Sequence, residues 1–155
     1  MYDFPNKTFI TKSLRLFGFI LITLIAFSEY TTAQSMPRIG DHWDATIDST
    51  QKILLPPPLG IKNKIDFERE GIKFTGAVSD RKIISIITRD PNFEIGGLKY
   101  IGTELSSFKD RNQIKQIRGW GNFLPLSDGW YAVFDFKDLS DTSKVLYLFK
   151  KEDHF

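Results

Sequence analysis

Residues 97–108 read GLKYIGTELSSF, and the class of the fold turns on them. Gly97 to Ile101 form a short extended piece, and Gly102-Thr103 then offers a place for a helix to begin. Thr103 is suited to cap the orphan amides of a first turn, and Glu104 sits favourably near the positive end of the dipole. Leu105 and Phe108 fall three apart on one face. Asp110-Arg111-Asn112 would end the helix. No other segment after residue 33 makes a good helix candidate, so this one decides between a pure sheet protein and a sheet with a helix packed on it.

Upstream, Ile61, Asn63, Ile65 and Phe67 alternate with Lys62, Lys64 and Asp66, a period of two with charge on the outward face. Glu68-Arg69-Glu70-Gly71 supplies a turn. The alternation resumes through Ile72, Phe74, Gly76 and Val78, turns again at Ser79-Asp80-Arg81, and ends in the β-branched run 82–89. These are three strands of a meander. Downstream, Ile114–Arg118, Asn122–Leu126, Trp130–Phe136 and Lys144–Lys150 read as further strands. The expectation is an α+β domain over residues 61–155, mostly antiparallel sheet built of meander and hairpins, with one short helix packed on it.

Residues 119–136, GWGNFLPLSDGWYAVFDF, place two Gly-Trp pairs around a Ser-Asp-Gly turn. A three-residue loop with Gly129 at positive φ would pair Leu126 with Trp130, Leu124 with Ala132 and Trp120 with Phe136. A two-residue Asp128-Gly129 turn would instead pair Phe123 with Phe134. In either register Trp130, Ala132, Phe134 and Phe136 form the apolar stripe, and most of these aromatics belong to the core. Trp120, between glycines near a strand end, and Tyr131, on the opposite face, are the candidates for an exposed aromatic pair. With Arg118 beside them, they are the expected contact set for a protein or glycan.

The N-terminal 33 residues have the composition of an export signal. Lys7, Lys12 and Arg15 precede the twelve-residue apolar run Leu16–Phe27, and Thr31-Thr32-Ala33 gives the small side chains of a cleavage site. A permanent spanning helix needs about 20 apolar residues, so the run predicts cleavage after Ala33 and no stable membrane insertion afterwards. An uncleaved anchor would export the domain equally. The expected location is periplasmic or extracellular. Residues 34–60 read as an extended arm, stiffened by Pro56-Pro57-Pro58.

The chain has no cysteine, which removes disulfides, thiol catalysis, thiolate metal sites and lipoprotein anchoring. Loss of the signal lowers the formal charge of +2 to +1. Such a balance gives no general attraction to nucleic acid, so Arg111, Lys115 and Arg118 read as ordinary surface. No cofactor motif occurs. Among the sequence patterns neither HExxH nor GxSxG nor a phosphate-binding loop is present. His154 lies next to the C-terminus, and His42, in the arm near Asp41 and Asp44, offers a metal or acid/base suggestion but reads rather as part of a solvated polar arm. Asp135, Asp138 and Asp141 lack the spacing of a calcium loop. No metal is expected.

GLKYIGTELSSF also resembles the strand-to-helix element of small exported bacterial α+β domains. These are the SmpA-like outer-membrane assembly lipoproteins and the β-lactamase inhibitor proteins, and the matching residues are Gly97, Leu98, Ile101, Gly102, Thr103 and Phe108. Those families are binders and assembly factors, so the resemblance implies an interaction module. The expected function is a small exported non-enzymatic domain that binds a protein or envelope component. The alternative is a small hydrolase of cell-wall or other glycan, acting through carboxylates such as Asp128 and Asp135.

Overall fold

The two-residue turn Glu70-Gly71, with φ of 52° and 77°, sets the register of the longest hairpin. It joins β2 (Gly60–Arg69) to β3 (Ile72–Ser79), with Arg69 opposite Ile72 and Phe67 opposite Phe74. Positive φ at both central residues matches the twist of the flanking strands, which is why glycine stands second. A similar turn at Asp80-Arg81 leads into β4 (Lys82–Thr88). The computed structural model describes residues 38–137 and 139–151, so the segment read as an export signal lies outside the described residues.

The remaining strands are β1 (Lys52–Leu55), β5 (Glu94–Ile95), β6 (Leu98–Lys99), β7 (Lys115–Ile117), β8 (Gly121–Pro125), β9 (Trp130–Phe134) and β10 (Tyr147–Lys151). Eight of them form one antiparallel sheet in the order β1-β2-β3-β4-β10-β9-β8-β7, and β5 pairs with β6 alone. The last strand in sequence therefore joins two meanders at the middle of the sheet. The segment expected as an arm contributes β1, whose Leu55 is 1% exposed. It also supplies a run beside the start of β4, where Gly40 N–H donates to Ile83 O and Ile83 N–H to Asp41 O.

The helix expected over 103–108 is absent, and the α+β assignment is overturned. Leu105–Ser107 makes a single 3-10 turn, and Glu104 bridges Lys144 as extended chain. Glu104, not Thr103, stands at the cap position and makes no side-chain capping bond. The backbone groups that a helix would have used go elsewhere. Leu105 N–H donates to Ser143 O, Ser106 N–H to Asp141 O, and Val145 N–H to Thr103 O. A sequence pattern so short nucleates a helix poorly, and the connection before β10 offers its carbonyls instead. Among the described residues the helical segments are 3-10 turns of three residues, and the sheet is a curled half-barrel.

Each face of that sheet carries a buried cluster. On the outer face, Ile65, Phe74, Val78, Ile86, Leu124, Trp130, Phe134 and Leu148 pack under Phe93, Ile95, Leu105 and Val145 from the long connections, with Trp43 and Ile47 of the arm alongside. On the inner face, Leu55, Ala77, Phe123, Tyr131, Val133 and Phe149 form a second cluster. Its partly buried flank is Ile53, Leu59, Ile84, Ile87, Ile117, Trp120 and Tyr147. All of these lie on sheet strands or the turns joining them. Among the described residues no separate layer covers that face, and the sheet shields it by curling on itself.

The 119–136 hairpin takes the three-residue register. Leu124 faces Ala132, Asn122 faces Phe134, and Leu126 N–H donates to Trp130 O across Ser127–Gly129. Gly121 is required by shape as well as by its φ of 129°. A Cβ there would stand 2.5 Å from Phe134 O. Trp130 and Phe134 are core, as expected. Phe136 is not: it lies beyond the end of β9 and is 62% exposed.

Candidate functional site

Two cross-strand rows run along the inner face at its open end. One carries Asp66 opposite Thr75 and Thr75 opposite Ile87. The other carries Glu68 opposite Lys73. Arg89, the second residue after Ile87, continues this second row, and its guanidinium lies over the Tyr147 ring at 4.9 Å. These strand ends bound a cavity of about 660 Å³, lined by Asp66–Glu68, Lys73–Thr75, Ile87 and Arg89–Pro91. This volume falls in the range of ordinary ligand pockets.

The rim is shaped by Asp90. Its side chain accepts Asn92 N–H at 2.9 Å and Lys73 N–H at 3.4 Å, while Asp90 N–H donates to Thr88 Oγ1 and Thr88 Oγ1 donates to Lys73 O. The chain therefore leaves β4 in a fixed bend that carries Pro91 to the cavity wall.

The charges at this end are unequal in status. Asp66 is engaged: Lys64 Nζ lies 2.6 Å from Oδ2, and Thr75 Oγ1 donates to Oδ1 at 2.7 Å. Partial burial pushes its pKa up, but the bonds from Lys64 and Thr75 together with the Lys64 charge outweigh it, so the carboxyl sits below its ordinary value. Tyr147 is shifted the other way, raised by burial against the opposing pull of Arg89. Glu68, Lys73 and Arg89 make no ion pair among the described residues. The cavity lining thus carries two cations, Lys73 and Arg89, and three carboxylates, of which Asp66 is tied to Lys64 and Asp90 to backbone amides, beside an apolar wall. That composition suits holding a ligand with a polar, charged end.

The residues singled out from sequence do not converge. Tyr131 is 6% exposed and packs edge-on to Phe123 in the inner cluster. Its face was expected to be solvated, and the curl of the sheet buries it instead. Trp120 sits in the turn after β7, half-buried against the same cluster, with its backbone N–H donating to Ile117 O. Arg118 is exposed on that turn. An exposed aromatic clasp of Trp120 and Tyr131 is therefore not formed. Asp128 and Asp135 lie beyond opposite ends of β9, which by itself spans roughly 13 Å at strand rise, whereas paired glycosidase carboxylates lie within about 10 Å of each other.

His42 bridges Lys82 through the backbone and lies 3.3 Å from Asp44 in solvent. Asp141 is held by Arg111 at 2.8 Å. His154 and Asp138 lie outside the described residues. Among the described residues no group of three or more His, Cys, Asp or Glu side chains is arranged to hold a metal. The signal that would have found the cavity was present in the alternation. Asp66, Glu68, Lys73 and Thr75 share one parity on paired strands, but period-two charge reads as a solvated face unless the sheet is known to curl.

Fold and rim together define a curled antiparallel sheet domain with a ligand-sized cavity at one end. Comparison with protein families, curated proteins and solved structures finds no match for this chain. No helix among the described residues is long and apolar enough to cross a membrane.

Proposed function

We propose that this chain is an exported, non-enzymatic binding domain whose ligand surface is the open end of the curled sheet, and that it takes a protein or envelope component there. The observation that carries this reading is the cavity of about 660 Å³ with Lys73, Arg89 and Glu68 at its wall, none of them in an ion pair among the described residues. All three side chains are exposed, so water satisfies their charges in the free protein and a ligand can reach them. Charges left unpaired beside an apolar wall are available to a ligand. Export is supported by the composition of residues 1–33, with basic residues before a twelve-residue apolar run.

The test is an amide-shift titration of residues 34–155 with soluble envelope glycans and with acidic and basic peptides. Shifts should gather at Lys73, Thr75, Ile87 and Arg89. The double change Lys73→Ala and Arg89→Ala should weaken the interaction about tenfold or more. Shifts confined to other strands, or binding indifferent to the double change, would refute this placement.

A further inference from the structure

From Ile53 to Ile61 the chain reads ILLPPPLGI, with no charged or hydrogen-bonding side chain. These residues form the end of β1, the turn after it and the start of β2. One side of the hairpin is anchored: Leu55 is fully buried, and Ile53 and Leu59 pack on the same inner cluster. The other side is bare. Leu54 and Ile61 stand opposite each other across the ladder and are 59% and 67% exposed, and Pro57 and Pro58 are exposed at the tip. Pairing of β2 with β3 ends at Asn63 opposite Val78, so the hairpin runs on past its neighbour.

The backbone of this tip suits an apolar medium. Pro56, Pro57 and Pro58 have no N–H, and Leu59 N–H donates to Pro56 O at 3.1 Å, so the turn brings no unpaired donor with it. Charge is layered behind the tip. Lys62 and Lys52 come first, one on each face of the hairpin. Lys62 makes no ion pair among the described residues, and Lys52 Nζ donates to the neutral Asn63 Oδ1 at 2.6 Å. The acids Asp48 and Asp66 come further back, beside Lys64, and Asp66 lies roughly 20 Å along β2 from Gly60 at strand rise. In the neighbouring turn and arm Arg38, Arg81 and Lys82 offset Asp41, Asp44 and Asp80, so Lys52 and Lys62 are not cancelled from that side.

We propose that this hairpin tip, residues 54–61, docks on an anionic lipid surface. Leu54, Pro57, Pro58 and Ile61 enter the boundary between headgroups and acyl chains, and Lys52 and Lys62 meet the lipid phosphates. An apolar tip followed by lysines, and only then by acids, matches the order of layers in such a surface. The tip is convex, and a fluid bilayer admits it without a matching pocket. The contact is peripheral and reversible, because four apolar side chains fall far short of the about 20 residues of a spanning helix. The large cavity lies toward the other end of β2, at Asp66–Glu68, so a docked chain holds it away from the lipid and both surfaces can act together.

The experiment uses residues 34–155, which leaves out the apolar run 16–27. Vesicles are phosphatidylcholine alone, or phosphatidylcholine with about one-third phosphatidylglycerol. Co-sedimentation should retain the protein on the anionic vesicles, and retention should weaken about tenfold or more on the neutral ones and fall as salt is raised. Leu54→Ser with Ile61→Ser should weaken it about tenfold or more, and Lys52→Gln with Lys62→Gln about tenfold. All four side chains lie outside the buried clusters, so the far-ultraviolet dichroism of each variant should match that of the unaltered chain. Leu98→Ser, at a similarly exposed leucine on β6, should change nothing. Because the chain has no cysteine, Ile61→Cys can carry a single environment-sensitive fluorophore. Its emission should shift to the blue on anionic vesicles, and that of the same fluorophore at Leu98→Cys should not.

No retention on anionic vesicles, equal retention on neutral ones, or retention indifferent to the serine pair would overturn the proposal. So would a fluorophore at position 61 that shifts with protein concentration in the absence of lipid, which would assign the tip to a second copy. A shift at position 98 without one at position 61 would move the lipid contact elsewhere and overturn it too. Ligand-induced amide shifts at Lys73 and Arg89 that persist in the serine pair while lipid retention is lost would confirm that the tip and the cavity are separate surfaces.

Discussion

At the scale of single residues, the inner face mixes apolar packing with a few polar groups whose environments differ sharply. Ser85 is fully buried between Ala77 and the last strand, and its Oγ finds no hydrogen-bond partner among the described residues. A buried hydroxyl without a partner is destabilising relative to a methyl group. Ser85→Ala should therefore be neutral or stabilising by about 1 kcal/mol in urea denaturation. Tyr147 makes a pH-dependent prediction. Its folded pKa is raised by burial, so the folded state holds the phenol proton above pH 10, where the unfolded state releases it. Its contribution is full below the unfolded value and is lost as pH rises through the folded one. Stability should fall less steeply above pH 10 in Tyr147→Phe than in the unaltered protein, measured by parallel denaturant titrations.

Elements show why the strands were readable and the helix was not. β2, β3 and β4 carry long alternating or β-branched runs, and tight turns with positive φ at Glu70-Gly71 and Asp80-Arg81 fix their register locally. The register of β8 and β9 was open to two readings, and packing of Leu124 and Trp130 into the outer cluster selects one. The 103–108 segment had a cap, an acid and two spaced apolar residues, yet its amides bond to a connection some forty residues away in sequence. Partners that distant leave no local trace.

β1 was hidden for a related reason. A four-residue strand beside three prolines looks like a linker until its buried Leu55 is seen. Leu55→Ala should cost about 2–5 kcal/mol. Leu54→Ala, on the exposed side of the same strand, should change stability by less than about 0.5 kcal/mol. Equal effects would show that β1 is not seated in the inner cluster.

For the whole molecule, the decisive feature is the insertion of β10 between β4 and β9. Thr88 opposite Leu148 and Ala132 opposite Leu148 tie the two meanders together through one late strand. Ending the chain after Leu146 should leave both halves with open edges and prevent cooperative folding, seen as collapse of amide dispersion in the nuclear magnetic resonance spectrum. The far-ultraviolet dichroism of residues 34–155 should be that of a sheet protein without the double minimum of α-helix. A strong helical signature would contradict the fold.

Sequence by itself determined the strand alternation, the tight turns, the absence of thiol chemistry and the apolar Trp130 to Phe134 stripe, because each follows from neighbours along the chain. The cavity charges were legible only as alternation, and Tyr131 was misplaced because its face looked like a solvated one. Tertiary structure decided that each face carries a buried cluster, that 103–108 is bridge and turn, and that Asp66 to Arg89 gather at one rim. These depend on curl and on strand order, which bring residues together across the sheet at separations that no local pattern encodes.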